Sequence, residues 1–307
     1  MADCIVIGAN GFLGSSLTDE LVARGHSVTA FDRFSGAERR FMSDVTTVAG
    51  DFLDRDAVAS AVAGHEFVFH FLSTTTPATA DNEPARDARD NLAPSIDLFS
   101  ACVAGGVRRV IFASTGGAIY GEKTVDVLTE DVTPEPISPY AIGKLAIEGY
   151  LAYFRRKHGL ESTSFRISNP YGPRQRSNRA QGVIPTFLEK AASGEAVPVY
   201  GDGSSVRDYV YVDDAIRMIV DTVDATPRYA VYNVGSGVGT SLTELLAVIG
   251  DVTGAHPAID YRPEPATFVH RSVLDTGRYR GEFGPAAART LREGIGQTWA
   301  EREGWGA

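Results

Sequence analysis

Residues 4–14 read Cys4-Ile-Val-Ile-Gly8-Ala-Asn-Gly11-Phe-Leu-Gly14, and a second apolar run, Ser27-Val-Thr-Ala-Phe-Asp32, ends on an acid. A β-branched run, a glycine-spaced turn, an amphipathic stretch over 12–24 and a second strand follow the order of a βαβ unit that receives a dinucleotide. Each glycine has a role there. Gly8 permits the tight turn, Gly11 lets backbone N–H groups approach a diphosphate, and Gly14 lets the helix close on the strand with its N-terminus facing the anion. Asp32 stands where a carboxylate accepts hydrogen bonds from both hydroxyls of an adenosine ribose. It repels a 2′-phosphate, although neighbouring Arg33 attracts one, and the balance predicts NAD rather than NADP.

Beyond this unit the alternation continues. Strands are expected at 4–8, 27–32, 46–50, 66–72, 110–114 and 162–167, with helices at 12–24, 54–63, 84–104 and 139–158 between them. Continuously apolar strands such as Val68-Phe-His-Phe-Leu72 suit a sheet buried on both faces. The fold class is therefore α/β, a Rossmann-type doubly wound parallel sheet, with the dinucleotide domain at 1–168. After Asn169 proline and glycine become frequent, and short strands at 197–203, 209–212 and 231–234 mark a smaller substrate-binding region, 169–307, some of whose segments return to the first sheet.

The composition limits partners. The chain has 307 residues, a formal charge of −10 and 43% hydrophobic residues, and so can bury a sizeable core. An acidic balance excludes general affinity for nucleic acid or anionic membranes. No apolar run approaches the length that spans a bilayer, and residues 2–8 are too short for a signal peptide, which predicts a cytoplasmic protein. Cys4 and Cys102 read as reduced packing residues, and the six histidines lie scattered, so no metal is expected.

Tyrosine precedes lysine by four residues twice, at Tyr140/Lys144 and Tyr153/Lys157. With 12 tyrosines and four lysines, chance supplies about 0.16 such pairs. Ser138-Pro139 starts a helix that carries Tyr140 in its first turn and Lys144 on the same face. The second pair lies in the basic last turn Arg155-Arg156-Lys157-His158 and reads as a helix end interacting with its own dipole. A nearby ammonium and a positive nicotinamide ring would together lower the phenol's pKa and make Tyr140 a usable base near neutral pH.

These pieces, with Ala113-Ser-Thr-Gly-Gly-Ala-Ile-Tyr-Gly121, Arg166-Ile-Ser-Asn169-Pro-Tyr-Gly-Pro173, Val199-Tyr-Gly-Asp-Gly203 and Arg207-Asp-Tyr-Val210 with Asp213, occur in one order along nearly the whole chain. In that order the sequence resembles the extended short-chain dehydrogenase/reductase family, in its nucleotide-sugar 4-epimerase branch. The resemblance implies NAD held by Gly8, Asn10, Gly11, Phe12, Leu13, Gly14, Asp32 and Arg33, with Asp51 and Phe52 along the adenine. It gives Leu72, Ser73, Thr74, Asn91, Ser114, Tyr140 and Lys144 to the rest of the cofactor, Lys144 binding the nicotinamide ribose. A UDP-sugar would meet Thr75, Gly116, Gly117, Tyr140, Asn169, Val183, Tyr200, Arg207 and Arg271, with Asn169 and Arg207 on the diphosphate and Val183 and Tyr200 near the base. Plainer readings stand beside these: the Asn169 segment as a turn, and Arg207-Asp208 as a surface ion pair.

The sequence departs from the branch in two places. Where many members carry a Ser or Thr at the strand end, this chain has Gly116, so Thr115, Ser114 or a water must carry the proton bridge. Where the family has Arg-x-Gly-Asp, this chain has Pro265-Ala-Thr-Phe268 and His270-Arg271, leaving Arg271, or else Arg262, as the second diphosphate arginine. Dehydratases of the family carry Thr-Asp-Glu at this strand end and decarboxylases Thr-Ser-Glu; neither carboxylate is here. What the resemblance then implies is C4 epimerisation of a UDP-hexose. Tyr140 takes the O4–H proton as hydride passes from C4 to NAD, the 4-keto sugar turns, and hydride and proton return to the other face. Ser272, as a small gate, would admit an N-acetyl group, so UDP-GlcNAc/UDP-GalNAc join UDP-glucose/UDP-galactose; Arg174, Arg176 and Arg179 suit UDP-glucuronate, or form a solvated basic loop. A nucleotide-4-keto-sugar reductase is the alternative, a dehydratase or a non-catalytic NAD-binding sensor lesser ones. Pairing through helices 84–105 and 139–158 into a homodimer is a further implication of the family.

Overall fold

A computed structural model describes the chain apart from residues 36–38, 176–181, 266, 286–288 and 305–307. Its strands are β1 (Asp3–Ile7), β2 (Ser27–Asp32), β3 (Thr46–Ala49), β4 (Phe67–His70), β5 (Arg109–Thr115), β6 (Glu161–Ile167), β7 (Asn169–Tyr171), β8 (Val197–Tyr200), β9 (Val206–Tyr211), β10 (Val231–Val234), β11 (Gly239–Ser241), β12 (Ile259–Arg262) and β13 (Arg271–Ser272). The helices are α1 (Phe12–Ala23), α2 (Arg55–Val62), α3 (Pro77–Asn82), α4 (Pro84–Asp87), a π-helical turn (Ala88–Leu92), α5 (Ala93–Ala104), α6 (Pro139–His158), α7 (Val183–Ser193), α8 (Val212–Val220), α9 (Leu242–Thr253), α10 (Gly277–Phe283) and α11 (Leu291–Ala300).

Seven strands form one parallel sheet in the order β10-β6-β5-β4-β1-β2-β3. β1 lies between parallel neighbours, Ile7 opposite Phe31 on β2 and His70 on β4. Strand order reverses there, and in doubly wound sheets the ligand crevice opens at the carboxyl ends of such strands. Ile5, Ile7, Phe31, Val68, Val110 and Phe112 form a core with Val58 and Val62 of α2, Leu98 and Cys102 of α5, and Ile147, Leu151 and Phe154 of α6. Those helical positions recur at three- and four-residue spacing, the stripe of a helix that buries one face. Cys4 and Cys102 are buried and unpaired, and burial pushes each thiol up to about 12, so both act as packing residues.

The 84–104 stretch, expected as one helix, is broken by the π turn. Pro94, in the first turn of α5, has no N–H to give the carbonyl four residues back, so the run cannot pass through as an unbroken α-helix. By contrast α6 follows its sequence markers: the Ser138 side chain accepts the Ala141 N–H, Pro139 opens it, and Gly159 ends it in the left-handed conformation.

The chain divides into two units, Met1–Thr115 with Ser138–Arg166 and Ile216–Tyr232, and Gly116–Ile137 with Ile167–Ala215 and Asn233–Ala307. The second unit thus takes residues 116–137 from ahead of position 168, and 216–232 return to the first. β10 ends at the edge of the large sheet, where the Ser164 N–H donates to Ala230 and the Ser168 N–H to Val234. Within the second unit, β9 pairs with β7, β11 and β13, and β8 pairs with β12. Asp208 on β9 is fully buried and accepts N–H bonds from Ser236, Gly237 and Leu274, which fastens two loops to that sheet. It is not half of a surface ion pair.

Candidate active site

The loop after β1 has the shape its glycines suggest. Gly8 has φ +90°, and a Cβ there would lie 2.8 Å from the Leu72 backbone; a Cβ on Gly14 would lie 2.0 Å from the Gly8 carbonyl. Gly11 caps α1 with no side-chain bond to the first N–H groups, which leaves the helix N-terminus available to an anion, and Phe12 and Leu13 open its first turn half-buried. Asp32, at the end of β2, accepts the Asn10 N–H (3.0 Å) and the Arg33 N–H (2.8 Å), while the Asn10 side chain accepts the Arg40 N–H (2.9 Å). A cradle with no room for a Cβ, an uncapped helix start and a carboxylate on the second strand fit a dinucleotide.

Around this loop some expected contacts look different. Phe52, expected along the adenine, is buried in the core with its ring 5.2 Å from that of His70. Asp51 is exposed and accepts the Leu53 N–H. Leu72 is half-buried, and Ser73 donates to the Thr75 carbonyl (2.9 Å). Asn91, in the π turn, accepts from both the Thr74 N–H and hydroxyl and donates to the Thr75 hydroxyl and Asp87. Thr75 in turn donates to Asp87 (2.5 Å). In the protein alone the side chains of Asn91 and Thr75, expected on cofactor and substrate, hold the 72–75 segment.

Tyr140 and Lys144 occupy one face of α6. Lys144 is buried; its Nζ donates to the Ala113 carbonyl at 2.8 Å and lies 4.7 Å from the Phe112 ring and 5.7 Å from the Tyr140 ring. Burial pushes Lys144 down to about 8 against the pull of Asp87 and Glu148. The same burial, aided by Asp87, pushes Tyr140 up to about 12; the lowering expected from Lys144 and the nicotinamide ring together belongs to the cofactor-bound protein. In the protein alone the phenol holds its proton. The other pair behaves as a helix end: Lys157 Nζ donates to the Tyr153 hydroxyl at 2.8 Å, both exposed.

At the end of β5, Ser114 donates to Glu148 (2.6 Å), which also binds Arg166 with both side chains buried. Ser114 is thereby turned into the interior. Thr115 makes no side-chain hydrogen bond among the described residues, so it is the hydroxyl left at this strand end. Gly116 is buried and gives its N–H to Ile167, and Gly117 faces the Asn169 amide across 3.4 Å of Cβ space. Ser272, expected as a small gate, is buried, with its hydroxyl on the Gly116 carbonyl (3.4 Å). β13 pairs Ser272 with Arg207 on β9.

The second unit carries the residues assigned to the nucleotide. Asn169 donates to the Asp208 carbonyl (3.0 Å), Val183 opens α7, and Tyr200 ends β8, exposed. The Arg207 guanidinium donates to the carbonyls of Val206, Val269 and His270 and lies 5.6 Å from the Phe268 ring. Arg271 is turned to Asp126, bonding its carbonyl at 3.0 Å, and Arg262 to Asp260 at 2.8 Å. Both candidates for the second diphosphate arginine thus have acidic neighbours. Of the basic trio, Arg176 and Arg179 lie outside the described residues.

Three residues escaped the sequence reading: Asp87, Glu148 and His70. All lie around Lys144, and burial with the nearby ammonium pushes His70 down to about 3, so it stays neutral. Gly143 was the available sign. A glycine inside a helix costs about 1 kcal/mol against alanine and often marks a close approach. Among the described residues no cluster of three His, Cys, Asp or Glu could hold a metal ion, and no helix is long and apolar enough to cross a membrane.

A model of the NAD dependent epimerase/dehydratase family matches residues 4–235. The UDP-glucose 4-epimerase of Mycolicibacterium smegmatis is 34% identical over 301 residues, 96% of each chain. The crystal structure of the UDP-glucose 4-epimerase of Thermotoga maritima with UDP-glucose superposes with a TM-score of 0.91, at 35% identity and 97% coverage of both chains. That of Thermus thermophilus, in complex with NAD, also gives 0.91, at 32% identity over 98% of this chain and 99% of its own.

Proposed function

The chain belongs to the NAD dependent epimerase/dehydratase family, and from that premise we propose that it interconverts the C4 epimers of a UDP-hexose. The observation that carries this reading is Tyr140 and Lys144 on one face of α6, Lys144 bonded to the Ala113 carbonyl of β5, the strand that ends in Thr115 and is followed in sequence by two glycines where elimination would need carboxylates. NAD, when bound, supplies the acceptor for the C4 hydride and a positive charge that eases the proton off the phenol. Gly8, Gly11 and Gly14 hold its diphosphate and Asp32 its adenosine ribose.

This chain's residues manage the proton. Tyr140 accepts it from O4–H and later gives it back, and Lys144 favours the phenolate by its charge. Thr115 bridges the sugar hydroxyl and Tyr140, a role that Ser114, bonded to Glu148, does not fill. Asn169, Val183, Tyr200 and Arg207 hold the nucleotide, with Arg271 as the second arginine. Anchoring through diphosphate and base leaves the sugar free to turn, which the reaction requires and a reductase does not. UDP-glucose and UDP-galactose are the first substrates to test. Incubation with these, UDP-GlcNAc and UDP-glucuronate, followed by separation of C4 epimers, gives interconversion that Tyr140→Phe abolishes. Steady NAD(P)H consumption with a 4-keto sugar instead would make the protein a reductase.

Along α6, Ile142, Tyr150 and Tyr153 are 54%, 40% and 47% exposed. Such a face supports pairing with a second copy through helices 84–105 and 139–158, which sedimentation tests. Two buried, unpaired cysteines suit a reducing, cytoplasmic setting.

A further inference from the structure

Asp87 ends α4 and is 4% exposed. Its Oδ1 accepts two bonds, from the Thr75 hydroxyl at 2.5 Å and from the Asn91 amide at 2.9 Å. The π turn that follows sets Asn91 one widened turn beyond it. Its other oxygen, Oδ2, points at α6. A Cβ built on Gly143 would lie 1.9 Å from it, so position 143 is glycine because the carboxylate occupies that space. Gly143 directly precedes Lys144.

The charges around Lys144 come from several elements. On α6 itself are Tyr140 and Glu148; from β4 comes His70; from β6, through Glu148, comes Arg166; and from α4 comes Asp87. Glu148 is already paired with buried Arg166 at 2.8 Å and accepts from Ser114. His70 is neutral, bonded through Nε2 to Ser95. A buried ammonium without a counter-charge sheds its proton, because desolvation penalises the charged form. Asp87, whose bonded partners are a hydroxyl and an amide, is the carboxylate here that no buried cation already holds.

We propose that Asp87 is a positioning residue for the Tyr140/Lys144 pair: locked by Thr75 and Asn91 against Gly143, its carboxylate is the counter-charge that keeps Lys144 an ammonium on the Ala113 carbonyl. The importance of that ammonium rests on the epimerase reading, whereas the electrostatic claim does not. The arrangement also accounts for an acid beside a catalytic tyrosine whose ionisation it opposes. What Asp87 costs Tyr140, it returns by holding the lysine charged.

With only four lysines in the chain, Lys144 can be followed directly. Protein carrying ¹³C at the lysine Cε is titrated by NMR, and the Lys144→Arg variant assigns the resonance. The wild-type midpoint is expected near 8, and Asp87→Asn, close in shape and without charge, moves it down by about one pH unit, tenfold in ammonium fraction. Asp87→Glu restores part of the shift. The alkaline limb of the activity profile moves with the midpoint, whereas a merely structural Asp87 would lower activity and leave the midpoint in place. If Asp87→Asn fails to fold, Thr75→Val, which removes one anchor of the carboxylate, is read in the same way. An unmoved midpoint in a folded variant overturns the proposal. A moved midpoint without conversion of any UDP-sugar overturns the epimerase reading and leaves this one standing.

Discussion

Ser114 Oγ donates to Glu148 Oε1 at 2.6 Å, so the hydroxyl of the serine at the end of β5 is committed to the interior of the first unit. Glu148 also binds Arg166, and the three side chains form one buried polar group. Removing one member leaves the others short of a partner.

Two substitutions separate these roles. Ser114→Ala is expected to lower stability by about 1–3 kcal/mol, read as a fall in the unfolding midpoint, with kcat changed less than threefold. Thr115→Val keeps shape and removes the hydroxyl, and should lower kcat by about 10²-fold or more with little change in stability. The reverse pattern would return the proton bridge to Ser114.

The cofactor loop makes a steric prediction. A Cβ on Gly14 would lie 2.0 Å from the Gly8 carbonyl, and backbone on both sides leaves no flexible side chain to move away. Gly14→Ala must therefore part α1 from the loop. Purified variant should carry little NAD, measured by absorbance after release from the protein, and should melt several degrees lower. Asp32→Ala also frees the Asn10 and Arg33 N–H groups, and is expected to weaken NAD more than NADP, since the charge that repels a 2′-phosphate is gone.

His70 gives the acid side of the stability profile. It is 1% exposed and its folded pKa is pushed down to about 3, so between that value and the ordinary 6.5 the unfolded chain binds a proton that the native protein does not. Stability then rises with pH across this window and is lost as pH falls, by up to about 1.4 kcal/mol per pH unit from this residue. His70→Phe removes the titration. Denaturant unfolding of both proteins from pH 4 to 7 should show a shallower slope in the variant, while equal slopes would mean that His70 is protonated in the native state.

Much of the first unit was legible in the sequence because local rules decide it. β2 spans Ser27–Asp32 and α6 spans Pro139–His158 as read, since a period of two or an N-cap, proline and terminal glycine lie within one segment. Positions fixed by distant partners were not legible. Asp87 is one acid among several in 81–90, and its meaning comes from Gly143, 56 residues away in the chain. Ser272 reads as a small gate, and only the folded chain shows it buried with its hydroxyl on the Gly116 carbonyl, 156 residues away in sequence. Phe52 follows an exposed acid in a loop, yet packs against His70 on another strand. Patterns report periodicity within a segment, and side-chain commitments across segments leave no such trace.

Arg207 carries the last prediction. Burial holds its guanidinium below its ordinary pKa, yet the group remains a cation and donates to the carbonyls of Val206, Val269 and His270. Carbonyls satisfy its N–H groups without neutralising its charge, so an anion reaching it gains a charge-assisted bond that the protein does not supply. The Val269 and His270 carbonyls tie Arg207 to the stretch that leads into β13. Arg207→Lys keeps the charge but loses the planar fork. The expected result is a KM for UDP-sugar raised about tenfold, roughly 1.4 kcal/mol, with kcat and NAD content unchanged. Arg207→Ala removes charge and fork together, raises KM further, and loosens residues 268–270, read as earlier proteolytic cleavage there. A variant that lost NAD with KM intact would move Arg207 out of the nucleotide-sugar site.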